Sequence, residues 1–112
     1  MITVFTIGHS NHPRERFVAL LRGADITALA DVRSTPFSRR HPQFSKPVLA
    51  EALQQGGIAY VYLGEELGGM RKDPALLRDG APDFDKIAAT ESFRHGLDRV
   101  IDGAGRHRIA LM

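Results

Sequence analysis

The sequence predicts an α/β fold: a small three-layer sandwich around a mostly parallel sheet of about four strands, Rossmann-like. Three observations predict it. Short, β-branched, apolar runs recur at Ile2–Ile7, Ile26–Val32, Ile58–Leu63 and Ile109–Met112. The segments between them carry apolar residues at helical spacing. Glycine or proline punctuates most of the junctions. Strands alternating with helices need crossover connections, and these make the sheet parallel and cover both its faces.

The elements follow in order. Ile2–Ile7, stopped by Gly8, reads as a first strand buried on both faces. Ser10, Asn11 or His12 caps the next helix, with Pro13 in its first turn. Phe17, Leu20, Leu21 and Ala24 share its inner face, and Gly23 and Asp25 end it. Ile26–Val32 is the second strand. Ser45 and Pro47 open a second helix with Leu49, Ala52 and Leu53 on one face, and Gly56-Gly57 closes it. Ile58–Leu63 is the third strand. Gly64–Arg71 reads as a turn-rich segment, Lys72–Pro82 as a long loop, and Asp83–Ala89 as a short helix. Thr90 caps a longer helix in which Phe93, Leu97, Val100 and Ile101 share a face, ended by Gly103 and Gly105. Ile109–Met112 is the fourth strand.

Composition bounds the rest. The 112 residues make a single domain over 1–112, 43% hydrophobic and 25% charged, as expected of a globular protein. The net charge of +2 says little about partners. The absence of cysteine excludes a disulfide, a thiolate zinc site and a cysteine nucleophile within these residues. No apolar run approaches the roughly 18 residues of a membrane span, and the N-terminus lacks the features of a signal peptide. No membrane contact and a cytoplasmic location are therefore expected.

A parallel sheet places the C-terminal ends of its strands along one edge, where ligands bind. Gly8–Asn11, Asp31–Ser38 and Gly64–Arg71 should converge there. From Val32 to Ala50 no acidic residue occurs, while Arg33, Arg39, Arg40, His41 and Lys46 do. Arginine's planar fork suits phosphate or carboxylate. Ser34 and Ser38 are interleaved. Gly8-His9-Ser10-Asn11 joins a strand to a helix, where free N–H groups and the helix dipole favour an anion, although simple capping explains it equally well. Asp31 and Arg33, two apart on a strand end, leave the same face. Either they pair and fix the loop, or Asp31 orients Arg33 or accepts a proton while Arg33 and Arg39 hold an anion. The candidate catalytic acid or base residues are His9 and Asp31. The candidate ligand-binding residues are Ser10, Asn11, Arg33, Ser34, Ser38, Arg39, Gly68, Gly69 and Arg71. Gly64, Gly68 and Gly69 suit a turn that carries Arg71 to the rim better than a phosphate loop. No metal-ligand spacing is present and the basic surround opposes a cation, so no metal and no cofactor is expected.

Four stretches carry a family resemblance: T-I-G-H-S at Thr6–Ser10, D-V-R-S-x-P-x-S-R at Asp31–Arg39 with Pro42 and Phe44 beyond, G-I-x-Y at Gly57–Tyr60, and L-G-x-x-L-G-G-x-R at Leu63–Arg71. In these the chain resembles the domain-of-unknown-function 488 family. The resemblance spans essentially the whole chain. It implies a compact α/β domain with a shared polar site and assigns no activity. Relatives of this kind continue past Ala110–Met112 into a loop with Cys-Ala-Glu and Cys-His-Arg. This chain is thus expected to be short of the family's C-terminal segment, and to expose apolar surface beside its fourth strand or cover it by self-association.

The expected function is binding of a small phosphate- or carboxylate-bearing ligand at the sheet rim, with catalysis left open. Two rival readings stand beside it. One is a nucleic-acid-binding module using the basic loop from Arg33 to Lys46. The other is a protein-interaction domain without chemistry.

Overall fold

A computed structural model describes residues 3–8 and 11–112. Strands β1 (Phe5–Thr6), β2 (Ala28–Asp31) and β3 (Ala59–Tyr62) lie in one sheet with the last strand, β6 (Ile109–Leu111), in the order β1-β6-β2-β3. All three pairings are parallel, as the alternation of strand and helix predicts. Helices α1 (Arg14–Gly23) and α2 (Lys46–Gln55) cover one face. Helix α5 (Glu91–Ala104) and a four-residue helix α3 (Gly64–Leu67) lie on the other. The α/β sandwich is therefore as expected.

Period-two alternation divides β2 between two cores. Leu29 joins Phe17, Leu21, Phe44, Leu49 and Leu53 under α1 and α2. Ala28 and Ala30 join Leu63, Val100 and Ile109 under α5. Phe17 and Phe44 meet edge to face, their ring centroids 5.0 Å apart.

Several expectations need correction. β1 is an edge strand, so its residues are half-buried or exposed rather than buried on both faces. Pro13 itself occupies the N-cap position of α1, so neither Asn11 nor His12 caps it. Leu20 is exposed on α1, and Leu97 and Ile101 are exposed on α5. The buried stripe of α5 runs through Gly96 and Val100 instead. A Cβ on Gly96 would strike Glu66 and Leu67, so the missing side chain brings α5 close to α3. The expected loop 72–82 contains a 3-10 turn at Pro74–Leu76 and a hairpin of β4 (Leu77–Arg78) and β5 (Ala81–Pro82). Asp79 and Gly80, both at positive φ, form its turn. α4 (Phe84–Ala88) and the Thr90 cap of α5 occur where expected. β6 sits in the middle of the sheet, with Ile109 and Ala110 buried. An apolar groove crosses the α5 side of the sheet beside it, lined by Ile109 of β6, Ala28 and Ala30 of β2, and Ala59 and Val61 of β3.

Candidate functional site

The C-terminal ends of β2 and β3 lie side by side, with Asp31 in register with Tyr62. Asp31 is fully buried. Its Oδ1 accepts from the Arg33 backbone N–H at 3.1 Å and from Arg33 Nε at 2.9 Å. Its Oδ2 accepts from Arg33 Nη2 at 2.8 Å and from the Tyr60 hydroxyl at 2.6 Å. Four donors fill the four lone-pair directions of the carboxylate. Nη2 of Arg33 also donates to the Phe44 carbonyl at 2.7 Å, tying the strand end to the 3-10 turn Pro42–Phe44.

The electrostatics follow from burial and pairing. Burial opposes the charge on Arg33, but the hydrogen bonds and attraction of Asp31 outweigh it and raise its pKa. Burial pushes the Tyr60 phenol up, and the hydrogen bond and charge of Asp31 push it further. The Tyr62 phenol is likewise raised by burial and then by Asp31.

The loop after Arg33 is pinned along its length. The Tyr62 hydroxyl lies 2.8 Å from the Arg33 carbonyl and 3.0 Å from that of Ser34, donating to this pair of acceptors. The Lys46 N–H donates to the Pro36 carbonyl at 2.7 Å. Ser45 Oγ, in place of capping α2, accepts from the Ser38 N–H at 3.2 Å. Ser38 Oγ in turn accepts from the His41 N–H at 2.9 Å. Lys46 Nζ rests 4.6 Å from the centre of the Tyr62 ring. Gln43 Nε2 donates to the His12 carbonyl at 3.1 Å, linking the segment after β1 to this loop.

The Gly64–Arg71 segment closes on the same rim. Arg71 donates from Nε to Gly68 O at 3.0 Å, from Nη1 to Glu65 O at 2.7 Å, and from Nη2 to Glu66 O at 2.6 Å. It thereby caps the free carbonyls of α3. Ser34 Oγ accepts from the Met70 N–H at 2.8 Å. A Cβ on Gly64 would collide with the Arg33 carbonyl and the Tyr62 ring, and one on Gly68 with Ser34. These glycines permit two backbones to touch. A Cβ on Gly69 would sit 3.2 Å from the Phe84 ring, a tight contact with a side chain rather than a collision with backbone.

Asp31, Arg33, Ser34, Gly68, Gly69 and Arg71 thus meet at the joined ends of β2 and β3. Ser38 and Arg39 stand further out on the pinned loop, and Asn11 is exposed near the end of β1. His9 and Ser10 lie outside the described residues. Arg39 and Arg40 are exposed and have no hydrogen-bond or ion-pair partner among the described residues. No group of three His, Asp or Glu side chains among the described residues could hold a metal. Tyr60 and Tyr62 also reach this rim; neither is among the predicted site residues, although Tyr60 stands in the G-I-x-Y motif. Their hydroxyls at i and i+2, on the face shared with Asp31, were the available signal.

A family model described as "Domain of unknown function DUF488" matches residues 13–112. No curated protein and no solved structure matches the chain. No helix among the described residues is long and apolar enough to cross a membrane.

Proposed function

From the premise that this chain belongs to the DUF488 family, whose function is unassigned, we propose that its sheet rim binds a phosphate-bearing ligand through Arg39 and Arg40. The observation that carries this reading is a division of labour among four arginines. Arg33 and Arg71 are committed to Asp31 and to backbone carbonyls. Arg39 and Arg40 are exposed, without partners among the described residues, on a loop whose ends are pinned. A preorganised loop loses little entropy when its cations meet an anion. The stretch from Val32 to Ala50 holds no acidic residue to compete.

In this reading Asp31 and Arg33 are positioning residues. A carboxylate that already accepts four bonds has no lone pair open to a substrate proton, so Asp31 does not serve as a base. His9 and Ser10 keep their candidate roles from their sequence position, and an enzymatic step would have to begin there. Ser34 and Ser38 serve the loop's shape, and Arg71 holds α3.

Phe37, 61% exposed in the middle of the same loop, favours one second reading: a single strand of nucleic acid, its base stacked on Phe37 and its phosphates on Arg39 and Arg40. Titration with inorganic pyrophosphate and with a short single-stranded oligonucleotide, each at two salt concentrations, separates the two. The small-ligand reading expects pyrophosphate binding that Phe37→Ala leaves intact. The nucleic-acid reading expects oligonucleotide binding that falls steeply with salt and is lost in Phe37→Ala.

A further inference from the structure

Strand β3 is an unprotected edge. Its neighbour β2 receives the Ala59 N–H at Thr27 O, 3.0 Å, and the Leu63 N–H at Asp31 O, 2.8 Å. Odd-numbered residues therefore turn their amides inward, and by strand alternation Tyr60 and Tyr62 turn theirs to the open side. The strand reads Ala-Tyr-Val-Tyr, without charge, proline or glycine. Proteins usually guard an edge with one of these or with a bulge. The other edge, β1, is only two residues long and has the Arg108 guanidinium 4.5 Å from the centre of the Phe5 ring. Both tyrosine hydroxyls of β3 are bound within the rim, so neither side chain hangs across the edge. On the α5 side an apolar groove of about 240 Å³ opens beside the edge. Ala59, Val61 and Leu63 lie along it, with Arg99 and Asp102 of α5 and Arg106 of the turn after it on its wall.

We propose that this surface docks a second copy of the same chain, β3 against β3 in antiparallel register about a two-fold axis at Val61. The observations favour a second copy because the edge is complementary to itself. With the axis at Val61, Tyr60 faces Tyr62 of the second copy and the reverse. These are the residues with outward amides, so two hydrogen-bonded pairs form without a register slip. Ala59 faces Leu63 of the second copy, closing apolar surface on the groove side. The two α5 helices then run antiparallel on either side of the joined grooves. Arg99 has no partner among the described residues, and each wall also offers Asp102, which pairs with Arg106 just past the end of its own helix. Each copy therefore presents the charge that the other can pair. Neither Arg39 nor Arg40 lines the groove, so this inference does not depend on the rim's ligand.

The absence of cysteine makes the register directly testable. At the two-fold, Val61 would form a non-hydrogen-bonded pair with itself, with Cα atoms about 4.5 Å apart, close enough for a disulfide. Ala59 would lie four residues, about 14 Å, from its own counterpart. Sedimentation equilibrium of the 112-residue chain should show a concentration-dependent dimer. Under oxidised glutathione Val61→Cys should cross-link to a dimer and Ala59→Cys should not, with circular dichroism confirming that both are folded. Ala59 is exposed, so Ala59→Lys should keep the fold and weaken the dimer at least tenfold. A wild-type chain that stays monomeric into the hundred-micromolar range would overturn the proposal. So would a Val61→Cys protein that cross-links no faster than Ala59→Cys.

Discussion

Arg33 grips Asp31 through two parallel bonds, Nε to Oδ1 at 2.9 Å and Nη2 to Oδ2 at 2.8 Å, from a position two residues along the same strand end. The carboxylate is fully buried and the guanidinium side chain is 16% exposed. A buried pair of this kind is not a large net source of stability, but losing one partner strands the other. Arg33→Ala should therefore destabilise the fold by about 3–5 kcal/mol. Arg33→Lys, which cannot make the fork, should recover only part of that. Thermal melts of both variants check this; a variant that melts with the wild type would show the pair to be incidental.

Tyr60 supplies the fourth bond to Asp31, and a hydrogen bond to a charged acceptor contributes about 1.5–3 kcal/mol. Tyr60→Phe should cost that much, because Arg33 still neutralises the carboxylate. The pH dependence has a definite sign. The folded-state pKa of Tyr60 is raised, so the folded protein holds the phenolic proton more tightly than the unfolded chain. That stability is complete below the unfolded value of about 10 and is lost as pH climbs from there toward the folded value. Melting temperatures from pH 8 to 11 should fall more steeply for the wild type than for Tyr60→Phe. Parallel curves would count against the assignment.

Gly68→Ala tests the contact between the two rim segments. The added methyl would meet Ser34 Oγ and the Gly64 carbonyl, and overpacking of this kind costs about 1–3 kcal/mol. Hydrogen exchange should report the loss first at Met70, whose N–H is held by Ser34. Unchanged protection there would mean that the segments are not coupled.

Much of this architecture was legible in the sequence, and the exceptions have physical causes. The four strands and long helices announced themselves because their apolar runs are punctuated by glycine. The β4–β5 hairpin did not, since two-residue strands ending in Pro82 carry no periodicity, although Asp79-Gly80 is a hairpin-turn signal. Helical spacing points Leu97 and Ile101 inward because it cannot show that Gly96, rather than a leucine face, makes the close approach. The pairing of Asp31 with Arg33 was one of two readings at the outset, and geometry selects it. The local spacing held no hint of the Phe44 carbonyl or of Tyr60, because both arrive from distant parts of the chain.

The proposed phosphate site rests on Arg39 and Arg40. Pyrophosphate is titrated calorimetrically into the wild type and into Arg39→Ala/Arg40→Ala, with thermal melts beside each. Both side chains are exposed and unpartnered among the described residues, so removing them should leave the melting temperature within about 4 °C. The wild type should bind, and the double variant should bind at least about tenfold more weakly, a difference of about 1.4 kcal/mol. Equal affinity in the two proteins, or no binding by the wild type, would contradict the proposed site.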